Sequence, residues 1–298
     1  MSLPVLLVCY LRPKDLISML ESEEIRKRRI YIFIDSAQRK SDIPLNQEVI
    51  NIAYEFNSQR NIKIRISTRN LGVGAALPEA VDWISSIESK FIVLEDDCHL
   101  TTAGFDFFER YANKLDSEYS ILCATSPWDL QPVRNLQGKN TTSTYPIISG
   151  WASSGQSWKQ ISRLIGGKVP LRETIVSAIR TPAKSLPLAF FLAASIRARK
   201  GSLKAWDSSV ALAMLLDGKK SLIPNITMVT NTGRDSVASH TLPAPGEDRF
   251  FRIASEEFPS NELSNSTKDE KLTNQEIEKK IFALKRRHLL SPLKAIIY

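Results

Sequence analysis

Apolar residues in this chain are concentrated in short β-rich runs, separated by longer stretches in which they recur every three or four positions. The blocks are VLLVC (5–9), IYIFI (30–34), IKIRI (62–66), FIVL (91–94) and SILCA (120–124). The stretches near 14–27, 44–58, 76–88 and 103–115 read as amphipathic helices. A β-rich block followed by a helical stretch, repeated, predicts βα units. Strands that are apolar throughout belong to a parallel sheet covered on both faces, so the chain up to about residue 125 predicts a doubly wound α/β layer. In such sheets ligands bind beyond the carboxyl ends of the strands. Those ends carry Arg12 after the first block, Asp35 after the second, and Glu95, Asp96 and Asp97 after the fourth.

Three acids directly after a buried strand need an explanation, because carboxylates crowded at the lip of a low-dielectric sheet raise one another's pKa unless a cation is near. If the extended backbone continues through them, Glu95 and Asp97 point to one side and Asp96 to the other. A hard divalent ion, Mn²⁺ or Mg²⁺, accepts one or two carboxylates and completes its shell with water and phosphate oxygens. The plainer reading is that the trio caps the helix beginning near 103.

Composition narrows the partners. The 298 residues, 43% of them hydrophobic, suffice for one large core or two modest ones. Lys and Arg number 40 against 32 Asp and Glu, and the net charge of +8 favours an anionic partner: nucleic acid, a lipid headgroup or a nucleotide phosphate. The positive residues are scattered and form no nucleic-acid-binding motif, which places nucleic acid last. Cys9, Cys98 and Cys123 are odd in number and lie in or beside apolar runs, as reduced thiols of a cytoplasmic protein do. The N-terminal LPVLLVCYL has no Lys or Arg before it and no small-residue cleavage site after it, and reads as a strand rather than a signal core. SLPLAFFLAASI (185–196) is much shorter than the ~20 residues that span a bilayer.

Four segments in order, LPVLLVCYLRP, YIFIDSA, FIVLEDDCHLTTAGFDFFERY and SILCATSPWD, resemble the nucleotide-diphospho-sugar transferases of the GT-A fold, in particular the N-acetylglucosaminyltransferase I group and its bacterial relatives. GWASSGQSWKQI (150–161), AWDSSVALAMLLDGKKSLIPNITMVTNTG (205–233) and SVASHT (236–241) are similar to later blocks of that family. The resemblance implies a mostly parallel sheet with helices on both faces, in one catalytic domain over 1–262. It implies a metal-dependent, inverting transfer of a sugar from a nucleotide-sugar donor, a UDP-sugar, to a hydroxyl of a glycan or lipid-linked acceptor. By the same resemblance EDD stands for the family's metal motif: Asp97 would hold Mn²⁺ or Mg²⁺, Asp96 the ribose and Glu95 the transferred sugar. Arg12 and Asp35 would hold the nucleobase, Gly150, Trp151 and Trp206 would lie near the sugar, and Asp207 would be the catalytic base. Ser239 and His240 would belong to a loop closing over the diphosphate.

Each residue also has a plainer reading. Asp207 precedes an apolar helix, where Asp is a favoured N-cap. Trp158 reads as a core aromatic; Trp151 is left open, because Gly150 before it leaves room for close approach of a ligand. RNLGVGAALPEA (69–80) makes a glycine-bearing turn into a helix, a weak phosphate signal, and Ala75 stands where relatives often carry a basic residue. A sugar-phosphate nucleotidyltransferase would share the sheet and the metal, but this chain has CYLRPKD where that class has a glycine-rich loop. Residues 263–298 form a polar linker and a basic tail in which Ile277, Ile281 and Leu284 share a helical face. That face either docks on the domain or lies peripherally on the inner face of the membrane.

Overall fold

The structure is a computed structural model that describes residues 2–126, 139–165, 169–180, 186–199, 206–233, 254, 262–263 and 267–283. Its first half follows the apolar blocks: β1 (Val5–Cys9), α1 (Pro13–Glu21), α2 (Glu23–Arg26), β2 (Ile30–Ile34), α3 (Ile43–Gln59), β3 (Ile62–Ile66), α4 (Val73–Ser85) and β4 (Lys90–Glu95). Then come β5 (Cys98–Leu100), α5 (Thr102–Tyr111), β6 (Ile121–Cys123), β7 (Thr141–Ser143), β8 (Trp151–Ser154) and α6 (Gly155–Ser162). The chain continues with α7 (Leu171–Arg180), α8 (Leu186–Arg199), α9 (Asp207–Asp217), β9 (Ser221–Ile223), β10 (Val229–Asn231) and α10 (Thr267–Ala283). The single helix expected over 14–27 is two, broken at Ser22, whose backbone leaves the helical region.

Eight strands form one sheet in the order β3-β2-β1-β4-β8-β6-β9-β7, parallel from β3 to β4, with β8 and β7 running against their neighbours. The expected mostly parallel α/β layer is therefore present. β2 is buried along its whole length, as its apolar run requires. β3, an edge strand, departs from the pattern as its own sequence IKIRI does: Lys63 and Arg65 are exposed, so one face of this strand meets solvent. One face of the sheet packs Leu16 and Met19 of α1, Val49 and Ile52 of α3, and Phe105 and Phe108 of α5. The other packs Leu77 and Val81 of α4, Trp158 and Ile161 of α6, and Val210 and Met214 of α9. Alternate residues of β1 serve the two layers, Val5 and Leu7 on one side and Leu6 on the other.

α9 is apolar all round because it is covered twice: beyond it Ala211, Leu212 and Leu215 meet Ala178 of α7 and Leu188 and Phe191 of α8. Up to Ala283 the C-terminal segment lies on the protein. α10 packs along β7, with Thr141 Oγ1 2.9 Å from Thr273 Oγ1, Ser143 donating to Asn274 at 2.7 Å and Tyr145 OH donating to Glu278 at 2.7 Å. Ile277, expected on the tail's apolar face, is buried in the same cluster as Phe191 and Leu215; Leu284 lies outside the described residues. Among the described residues no helix is long and apolar enough to cross a membrane.

Candidate functional site

β1 and β4 are neighbours, and Val8 pairs with Glu95, so their carboxyl ends bring Arg12 and the acidic trio to one place. Extended backbone ends at Glu95. Asp96 and Asp97 form a turn into β5, which corrects the expectation that the strand continues and that the three carboxylates alternate. They fan out instead. Asp96 turns back onto β1, where its Oδ2 accepts the N–H of Tyr10 at 2.9 Å and its Oδ1 lies 3.6 Å from Arg12 Nε. Asp97 turns the other way, and its Oδ1 accepts from Asn231 Nδ2 at 3.5 Å and from Cys98 Sγ at 3.4 Å. The trio does not cap the following helix: Thr101 does, accepting the N–H of Gly104 at 3.2 Å.

The acids act on one another. Burial, followed by the negative charges of Asp97, Asp96 and Asp207, pushes the Glu95 carboxyl up to about 8. Burial and Asp97 push Asp96 up to about 7, against the pull of the Tyr10 N–H and Arg12. Asp207 comes from α9, more than a hundred positions away, so the fold gathers four carboxylates at this end of the sheet. Among the described residues no cation is in salt-bridge range of Glu95 or Asp97.

The expected N-cap role of Asp207 shifts by one residue. Trp206 holds the cap position without a side-chain bond, and Asp207 is the first helical residue, exposed, its Oδ1 accepting the N–H of Ser208 at 2.8 Å. A carboxylate there is favoured by the helix dipole.

Asp35 is occupied by the protein itself. Its Oδ1 accepts from Ser67 Oγ at 2.8 Å and from the N–H groups of Leu71 at 2.9 Å and Ser36 at 3.0 Å; its Oδ2 accepts the N–H of Gly72 at 2.9 Å and Asn70 Nδ2 at 3.2 Å. The glycine turn read as a weak phosphate signal thus serves this carboxylate: Gly72, at φ +69°, gives the chain its turn into α4.

Trp151 lies between Trp158 and Trp206, with ring centroids 5.8 and 6.2 Å away. Trp158 is a core aromatic as expected, fully buried with its Nε1 donating to Asp82 at 2.7 Å. Trp151 is 1% and Trp206 6% exposed, so both belong to the apolar layer behind β4 and offer a ligand little surface. The room left by Gly150, at φ +64°, is filled by Val229, Ala124 and Leu94 rather than kept for a ligand, which corrects that expectation. Ser239 and His240 lie outside the described residues.

Several residues at the site were not singled out from the sequence. β10 pairs with β5, and Thr232 N–H donates to Asp97 O at 2.8 Å, which lays Asn231, Thr232 and Gly233 against Asp97. Asp15, in the first turn of α1, accepts from Thr232 Oγ1 at 3.1 Å and lies 3.1 Å from His99 Nε2. The only signal in the sequence was the polar VTNTG run ending an apolar block; its partner strand is 130 residues distant and short.

The donor set suits a divalent ion held by few protein ligands. Among the described residues no three His, Cys, Asp or Glu side chains are grouped to enclose a metal, so a closed protein cage is excluded there. Asp97, beside mutually repelling carboxylates, fits a hard ion whose remaining positions belong to water and substrate.

No protein-family model matches the chain, and no curated protein matches it. Among solved structures, the chain is similar to mannose-1-phosphate geranyltransferase from Thermus thermophilus, at 10% identity and a TM-score of 0.38, over 75% of this chain and 73% of that one. It is similar also to a mannosyltransferase from Pyrobaculum calidifontis in complex with GDP-Man and Mn²⁺, at 11% identity and a TM-score of 0.38, over 73% and 74%. At these values the likeness assigns no activity to this chain.

Proposed function

We propose that this chain is a glycosyltransferase that moves a sugar, with inversion, from a nucleoside-diphosphate sugar to a hydroxyl of a glycan or lipid-linked acceptor. The donor is a UDP-sugar by resemblance of the motifs. The observation that supports the reading is the convergence of Glu95, Asp96, Asp97 and Asp207 at the carboxyl end of the parallel strands, without a compensating cation for Glu95 or Asp97 among the described residues.

In this reading Asp207 is the base. It is exposed, the Ser208 N–H fixes one oxygen, and it is near enough for its charge to act on Glu95. It takes the proton of the acceptor hydroxyl as that oxygen bonds to the anomeric carbon and the bond to the diphosphate oxygen breaks. Asp97 holds the divalent ion, which when bound neutralises charge on the departing diphosphate. Glu95, with its raised pKa, donates a hydrogen bond to the transferred sugar while protonated. Asp96, held by Tyr10 and Arg12, is in this reading the acceptor for a ribose hydroxyl of the donor. Asp35 acts on the base end of the donor through the 70–72 loop that it clamps.

The test separates binding from chemistry. Asp97→Asn removes a charged ligand and should weaken Mn²⁺-dependent donor binding in calorimetry by tenfold or more. Asp207→Asn keeps shape and should leave donor affinity within about twofold while turnover falls by roughly 10² to 10⁴. Near-normal sugar transfer by Asp207→Asn would sink the mechanism. Release of pyrophosphate from a nucleoside triphosphate and a sugar phosphate, by the wild-type protein, would favour the nucleotidyltransferase reading instead.

A further inference from the structure

α7 is turned inside out. Its positions Leu171, Ile175, Val176 and Ile179, spaced i, i+4, i+5 and i+8, share one helical face. That face points to solvent: Leu171 is 36%, Val176 38% and Ile179 78% exposed. The residues it buries are the small or polar Thr174 and Ala178, the latter in the cluster formed with α8 and α9. A surface helix normally does the reverse, because each exposed large aliphatic side chain forgoes its transfer out of water. Arg172 and Arg180, both exposed, flank the face at its two ends. The surrounding sequence is equally one-sided: residues 171–204 hold seven Lys and Arg against one acid, Glu173, so +6 of the chain's net +8 falls in this stretch.

We propose that α7 is an interfacial helix that seats this protein on an anionic lipid surface. Apolar side chains on one face with Arg at its margins match a leaflet of acidic headgroups over acyl chains, which takes up both at once. An acidic protein surface would complement the charge but not the protruding Ile179. Three exposed aliphatic side chains with Arg172 and Arg180 at their margins make a weak, reversible attachment, not an insertion. The anchor differs from the one the C-terminal sequence suggested, whose Ile277 is spent on the protein's own core. α7 packs on α8, which packs in turn on α9, the helix that begins with Asp207; if the proposed function holds, attachment through α7 would keep the enzyme at the surface that carries a lipid-linked acceptor.

The full chain should co-sediment with phosphatidylglycerol vesicles at low salt, lose that binding as salt rises, and bind phosphatidylcholine vesicles far less. Val176→Glu with Ile179→Glu should weaken binding at least tenfold with an unchanged Tm. Arg172→Glu with Arg180→Glu should weaken it about 25-fold or more on the acidic vesicles, about fivefold for each Arg lost, with repulsion by the new Glu adding to that. Lys285→Glu with Arg286→Glu and Arg287→Glu should leave it within twofold. Four outcomes overturn the proposal: no binding of the wild-type chain to acidic vesicles, binding by the α7 aliphatic variant within twofold of wild type, loss confined to the tail variant, or a fall of several degrees in Tm in the aliphatic variant. That last result would mean that another part of the chain covers the face. Self-association abolished by the aliphatic variant, in a protein that ignores vesicles, would assign the face to a second copy and overturn it equally.

Discussion

A Cβ added at Gly233 would run into Asp97 Oδ2 and come within 3.0 Å of Asn231 Oδ1, so the residue is glycine because a carboxylate occupies the space a side chain needs. Gly233→Ala should displace Asp97 and lower Mn²⁺-dependent donor affinity about tenfold or more, with a stability change under about 1 kcal/mol; calorimetry and denaturant unfolding check the two parts separately. Glu95 and Asp96 set a pH dependence of stability. Their folded-state pKa values, about 8 and about 7, lie above the ordinary carboxylate range near 4, so across that window the folded protein holds protons the unfolded chain has lost. Stability therefore falls as pH rises from about 5 to 8.5. In the absence of divalent ions Tm should drop over this range, and Glu95→Gln should flatten the profile; a Tm that rises with pH would contradict the arrangement.

At the scale of elements, the site depends on two tethers. Asp35 ties the end of β2 to residues 67–72 and so to the start of α4, through four donors: Ser67, Asn70, Leu71 and Gly72. Asp35→Ala orphans the N–H groups of Leu71 and Gly72 and should cost about 2 to 4 kcal/mol in urea unfolding. The second tether is the β5–β10 pair, three residues on each strand, which holds Asn231 and Gly233 over Asp97. Short strands of this kind gain little from propensity; they persist because Val229 and Met228 are buried beside Leu100 and Phe105.

Across the whole molecule, α10 closes the last edge of the sheet. β7 pairs with β9 on one side only, and its other side is met by Thr273, Asn274 and Glu270, while Asn140 N–H donates to Glu262 O at 2.9 Å. Uncovered strand edges template association between chains. Truncation at Asn265 should therefore lower Tm by several degrees and raise light scattering on heating. A truncated protein that unfolds and refolds like the full chain would show that α10 is dispensable to the fold.

The first four strands and the helices between them were legible in the sequence because local pattern and burial agree there: VLLVC and IYIFI are apolar throughout since both faces of those strands are covered, and the rule that ligands meet the carboxyl ends pointed to Arg12 and the acids. Local pattern fails where neighbours decide. CHL becomes a strand only because VTN, 130 residues later, pairs with it. Trp151 and Trp206 looked free for a ligand until the packing of β8 against β4 and of α9 against α6 buried them. Asp35 read as a ligand residue, and only the folded 67–72 loop shows its oxygens already taken. Most of all, the direction of α7 is a tertiary fact. Its sequence declares an apolar face, but that the face points outward is seen only in the fold, where Ala178 joins the cluster of α8 and α9 while Ile179 is exposed.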